Sequence, residues 1–158
     1  MIARLIYLSI LLASAVLLGL GMYYQYALGL QACAPQVLVR YALVLAALFA
    51  LIAVAFDAGK ALRIAMSACV GVVSFVGAVV SAHQSWPRQI TLNFAAIGVN
   101  LESALRSLPL ADAFPGFFLA SAACDKARWK IVGIGASEWA LFAFLLFMVA
   151  AFAAARRR

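Results

Sequence analysis

The residues of this chain best suited to chemistry are three cysteines and one arginine. Cys33 stands in a short segment between two apolar runs, Cys124 lies in a longer polar segment, and Cys69 lies inside an apolar run. A thiol within an apolar helix behaves as a small hydrophobe, and Cys69 is read that way. Cys33 and Cys124 differ, because thiols outside a bacterial inner membrane meet an oxidising compartment. For that pair the residues leave two readings open: redox exchange, or a structural staple or unrelated thiols. Neither cysteine sits in a Cys-x-x-Cys, and none of the three has zinc spacing. Arg40 follows Cys33 by about two helical turns, at the mouth of the next apolar run. A cation there can stabilise a thiolate or donate to a carbonyl oxygen, or it can simply anchor the helix at the interface. His83 with Trp86 reads as interfacial anchoring, and Glu138 as a first-turn acid favoured by a helix dipole. No Ser/His/Asp set, phosphate loop or metal cluster is visible, so hydrolase and ATPase chemistry have no support, and no metal is expected.

The elements that must position these residues are membrane spans. The 158 residues are 68% hydrophobic and 11% charged, against about 45–50% and 25% in soluble domains. Four runs, at about 5–24, 37–56, 64–82 and 131–155, are long enough for helices that cross the bilayer, for which roughly 20 residues suffice. Ala13-Ser14-Ala15 resembles a signal cleavage site, but the first run continues through Val16-Leu17-Leu18-Gly19-Leu20. A retained helix is therefore expected. Tyr23, Tyr24 and Tyr26 form an aromatic belt at its exit, and Pro35 suits the opening of the second helix. Gly71, Ser74, Gly77 and Ser81 in the third run allow close helix approach in lipid.

The long segment 83–130 carries Pro87, Pro109, Pro115 and most of the acids, with no spanning run. Within it, Asn100 can cap a short amphipathic helix, Glu102 and Arg106 are an i, i+4 pair, and Leu101, Leu105 and Leu108 share a face suited to the membrane surface. The expected fold is all-α: one membrane domain over 1–158, a four-helix bundle with a short first and a long second outer loop. Both termini then share one side, and Cys33 and Cys124 share the other. The basic residues divide evenly between the two sides. Arg4, Lys60, Arg63 and Arg156-Arg157-Arg158 are the more densely placed set, which favours cytoplasmic termini. The net charge of +7 thus belongs to helix ends facing the lipid bilayer. No basic stripe with interleaved aromatics suggests nucleic-acid binding.

Two stretches resemble a known family. Tyr23-Tyr-Gln-Tyr-Ala-Leu-Gly-Leu-Gln-Ala-Cys33, with Arg40-Tyr41 after it, is similar to the first outer loop of the DsbB family. Those bacterial inner-membrane enzymes reoxidise the periplasmic thiol oxidase DsbA. Phe114-Pro-Gly-Phe-Phe-Leu-Ala-Ser-Ala-Ala-Cys124, with Trp129, Gly133, Glu138 and Trp139, resembles that family's second loop and the start of its fourth helix. The resemblance implies a thiol:quinone oxidoreductase taking electrons from a DsbA-like partner to ubiquinone or menaquinone in support of disulfide bond formation. Cys33 matches the first cysteine of the quinone-side pair, Arg40 the quinone arginine, and Cys124 the last cysteine of the partner-side pair.

The chain departs from that pattern at two positions. Gln36 stands where the second cysteine of Cys-x-x-Cys belongs, and no cysteine occurs near Ala96-Ile97-Gly98. A relay of two separate disulfides is impossible here. One reading is a single Cys33–Cys124 disulfide that accepts electrons through Cys124 and leaves Cys33 as a thiolate beside the quinone. Such exchange needs only an accessible sulfur and a good leaving thiolate. The other is a non-catalytic member that binds a partner or quinone without turnover.

Overall fold

The computed structural model describes residues 2–28, 34–56, 59–85, 130–131 and 133–156. Among them are four long helices: α1 (Ile2–Leu28), α2 (Ala34–Ala55), α3 (Lys60–Ser85) and α4 (Ala136–Arg156). The shortest has 21 residues. At 1.5 Å per residue it is about 32 Å long, enough for a hydrocarbon layer of roughly 30 Å. All four are long and apolar enough to cross a membrane, and α1 runs unbroken through Ala13-Ser14-Ala15. Both outer-loop cysteines, Trp86 and the expected amphipathic segment 100–108 lie outside the described residues.

Local chemistry sets the helix ends. Pro35 occupies the first turn of α2, where its missing N–H has no intrahelical partner to lose. The turn between α2 and α3 is closed on one side by Phe56 N–H donating to the Ile52 carbonyl at 3.0 Å. On the other side, Arg63 N–H donates to the Gly59 carbonyl at 3.1 Å. At the fourth helix the structure differs from the expected run, which begins at Ile131. β1 (Lys130–Ile131) pairs antiparallel with β2 (Ile134–Gly135), and the helix starts only at Ala136. The hairpin turns at Gly133, whose φ of 82° lies in the left-handed region that L side chains disfavour. Glu138 then reaches back, its Oε2 accepting the Gly135 N–H at 3.0 Å. That is half of a capping box, and it places an acid in the first turn of α4.

Helix packing follows membrane rules. The buried faces of α2, α3 and α4 are rich in small residues: Ala42, Ala46, Ala50 and Ala53 on α2, Ser67, Ser74, Gly77, Ala78 and Ser81 on α3, and Ala140, Ala151 and Ala154 on α4. Large side chains such as Leu12, Val16, Leu48, Phe75, Phe142 and Phe152 point outward. In water so much exposed apolar surface would drive aggregation; in hydrocarbon it is ordinary solvent contact, and small residues permit close approach. Each helix packs on its neighbour in sequence, and α4 closes the ring against α1. Gly77 receives the ring of Phe144, which is fully buried and edge-on to Phe147, with centroids 6.2 Å apart. At the end carrying both termini, Tyr7 Oη donates to the Arg63 carbonyl at 3.1 Å and accepts from Ser67 Oγ at 2.6 Å, tying α1 to α3.

Candidate functional site

At the opposite end the helices separate around a cavity of about 390 Å³, within the roughly 300–1,000 Å³ typical of small-molecule sites. Late α1 contributes Leu17, Leu18, Leu20 and Gly21; early α2 contributes Gln36, Val39, Arg40 and Leu43. The last turn of α3 gives Gln84, and the start of α4 gives Ala136, Ser137, Trp139 and Ala140. Leucines, valine, alanines and an indole make a hydrocarbon wall, broken by one cation, two amides and one hydroxyl.

Each polar group has a local reason for its place. Arg40 lies one turn beyond Gln36 on the same face of α2, since i and i+4 stack in a helix. Its half-buried guanidinium donates through Nη2 to Gln25 Oε1 at 2.6 Å, a bond between α1 and α2. A guanidinium has five donors in a planar fork, and the bond to Gln25 holds one of them toward α1. On the far side Ser137 Oγ donates to Gln84 Oε1 at 2.8 Å, joining the start of α4 to the end of α3. The Gln84 Nε2 is buried without an acceptor among the described residues.

Of the residues singled out from sequence, Arg40 is therefore on the cavity wall. Gln36, the residue in the place of a second cysteine, is on the wall with it. Cys33 immediately precedes Ala34, where α2 begins, but it and Cys124 lie outside the described residues. Cys69 is a free, half-buried thiol on α3 and takes no part in the cavity lining. His83 lies in the last turn of α3. Gln25, Gln84 and Ser137 were not legible as site residues. Gln25 and Gln84 fall just beyond the apolar runs 5–24 and 64–82, where polar side chains are ordinary interfacial residues. Among the described residues no group of His, Cys, Asp or Glu could hold a metal ion.

Residues 3–154 match the family model for disulfide bond formation protein DsbB. The chain is 35% identical over 146 residues to a disulfide bond formation protein B of Aromatoleum aromaticum, covering 92% of this chain and 88% of that one. It is 33% identical to one from a Polaromonas species (85% and 79% covered) and 34% identical to disulfide bond formation protein B 1 of Pseudomonas fluorescens (84% and 78% covered). No solved structure gives a significant match. With four membrane-spanning helices and a family match over nearly its whole length, the chain belongs to the DsbB family of membrane disulfide bond formation proteins.

Proposed function

We propose that this protein oxidises a periplasmic, thioredoxin-like thiol oxidase of the DsbA type and passes the electrons to a membrane quinone. The single disulfide it would use is Cys33–Cys124. The observation that carries the reading is the cavity, an apolar chamber at the membrane edge that holds Arg40 on the helix opening immediately after Cys33. The residues present fit a quinone: hydrocarbon walls suit a flat ring and its tail, and Arg40 offers donors to a carbonyl oxygen. The membrane is the bacterial inner membrane, with the dense basic termini on the cytoplasmic side and both cysteine loops in the periplasm.

A thiolate of the reduced partner attacks the Cys124 sulfur, forming a mixed disulfide and releasing Cys33 as a thiolate. The partner's second thiolate attacks its own sulfur in that bond, so the partner leaves oxidised and Cys124 leaves reduced. Cys33, next to the N-terminus of α2 and close in sequence to Arg40, is favoured as the thiolate by the helix dipole and the guanidinium. A quinone bound in the cavity supplies the two-electron acceptor. As their S–S bond re-forms, Cys33 and Cys124 would give up two electrons to such an acceptor, and the two protons shed by the partner's thiols would accompany them. Arg40, bonded to Gln25, would orient an acceptor carbonyl and lower the cost of negative charge there. The Leu17, Leu18 and Leu43 wall keeps water from the ring.

A second reading, a non-catalytic member that binds quinone or a partner without turnover, draws on Gln36: the wall is kept and the second cysteine is missing. Purified protein supplied with a reduced dithiol partner and a soluble short-chain quinone separates the two. Quinone reduction that is lost in Cys124→Ser is expected. Unchanged reduction in Cys124→Ser would defeat the single-disulfide relay, and no reduction by the wild type would favour the non-catalytic reading.

A further inference from the structure

The cavity holds a second polar pair whose parts come from helices other than Arg40's. Gln84 closes α3, and Ser137 opens α4 behind the hairpin and the Gly135–Glu138 cap. A glutamine amide can be turned either way, presenting oxygen or nitrogen. Because Ser137 Oγ donates to Oε1, the amide is held with its NH₂ group on the other side, and that nitrogen is buried without an acceptor among the described residues. An unmatched buried donor is costly, and a site built to hydrogen-bond an oxygen rejects ligands that lack it.

We propose that Gln84 is a specificity-determining donor to a carbonyl oxygen of the cavity's ligand, with Ser137 as the positioning residue that sets its amide. With Arg40 on α2 and Gln84 on α3, the cavity then selects a flat apolar ring carrying two carbonyl acceptors over one carrying fewer. This rests on the reading of the cavity as a quinone site. It adds that ligand choice is controlled in part from α4, whose first turn fixes a side chain on α3.

Binding can be read without turnover. Trp139 lines the cavity, and the chain's other tryptophans, Trp86 and Trp129, can be replaced by phenylalanine. Quenching of Trp139 fluorescence then follows titration of the full-length protein in lipid nanodiscs with a short-chain benzoquinone. Gln84→Leu is expected to raise Kd about tenfold, and Ser137→Ala about threefold, on the scale of one neutral hydrogen bond and of its loosened orientation. Ser137→Thr should restore wild-type binding. The Gln84→Leu/Ser137→Ala pair should bind no more weakly than Gln84→Leu alone, since Ser137 acts through Gln84. An alkylbenzene of the same tail and no carbonyl, used as a competitor, should have a higher inhibition constant against the wild type than against Gln84→Leu, which has no donor left unmatched. Should Gln84→Leu not fold, Gln84→Asn keeps an amide that no longer reaches and is read in the same way. Wild-type quenching with unchanged Kd in the Gln84 variants would overturn the inference and leave the quinone site standing. Loss in Gln84→Leu with no effect of Ser137→Ala would overturn the role of Ser137. Absence of quenching in the wild type would remove both the inference and the quinone site.

Discussion

Gly77→Ala should loosen the α3–α4 contact by an amount that a second substitution reverses. A Cβ at Gly77 would overlap three ring atoms of Phe144, namely Cζ, Cε1 and Cε2. The ring has little room to retreat, since Phe144 is fully buried and stands at 89° to the ring of Phe147. Overpacking a dense interior by one methyl group costs about 1–3 kcal/mol, and three atoms of a rigid ring place this site near the upper end. Alanine's better helix propensity, worth about 1 kcal/mol in water, offsets part of it, so a net loss of about 1–2 kcal/mol is expected. Phe144→Leu alone should cost about 1–2 kcal/mol through the space left behind. Combined with Gly77→Ala, the new methyl occupies some of that space, so the double variant should be more stable than the two single losses predict, by about 1 kcal/mol of coupling. The measurement is reversible unfolding in mixed micelles, scored by helical circular dichroism. Strict additivity of the two variants, or a Gly77→Ala protein as stable as wild type, would refute the close approach of α3 and α4 at this point.

Two further outcomes concern the cavity. Gln25→Leu removes the acceptor that holds Arg40 at 2.6 Å. Charge-assisted bonds are worth about 1.5–3 kcal/mol, but both side chains are only half-buried. About 1 kcal/mol is the expected loss, seen as a roughly fivefold rise in quinone KM with kcat little changed. A fall in kcat at constant KM would contradict a purely orienting role. Gln36→Cys should redirect the proposed disulfide: it restores Cys-x-x-Cys spacing after Cys33, and the loop to be closed is far shorter than the one to Cys124. Peptide mapping of alkylated, unreduced protein should then show Cys33 joined to the introduced thiol in place of Cys124. A Cys33–Cys124 bond that persists undiminished would mean that Cys33 is turned away from α2.

The four spans were legible because apolar run length is a property of sequence alone, and hydrocarbon thickness sets the same threshold for every chain. The start of α4 was not. Ile131-Val132-Gly133-Ile134-Gly135 is as apolar as a helix, and hydropathy cannot see that a positive φ at Gly133 turns it into a hairpin. The small residues Gly71, Ser74, Gly77 and Ser81 were readable as a packing stripe. Only the structure shows that Gly77, Ser74 and Ser81 are buried while Gly71 meets nothing that a Cβ would touch. Arg40 was legible as a site residue through its closeness to Cys33, a local signal. Gln25, Gln84 and Ser137 gave no comparable local signal, because each acquires its role from a partner on another helix, 15 or 53 residues away in sequence. Amides at the ends of spans are ordinary interfacial residues until such a partner is known.

The two ends of the bundle use polar side chains in opposite ways, and the contrast bears on function. At the end that carries the termini, the Tyr7 and Ser67 hydroxyls are matched to each other and to the Arg63 carbonyl. That end is stitched, and its bonds serve packing. At the other end the polar side chains also pair, Arg40 with Gln25 and Ser137 with Gln84, but here the pairs stand at the edge of a void. If those pairs served only to join helices, closing the void with larger side chains would strengthen the bundle, because empty space near packed residues forfeits dispersion contacts. Instead small residues, Gly21, Ala136 and Ala140, stand on its wall beside the leucines. A charged group next to hydrocarbon is costly and marks a functional position in membrane proteins. The same pairing chemistry that closes one end therefore holds donors in fixed orientations around open space at the other, as a binding site requires and a structural contact does not.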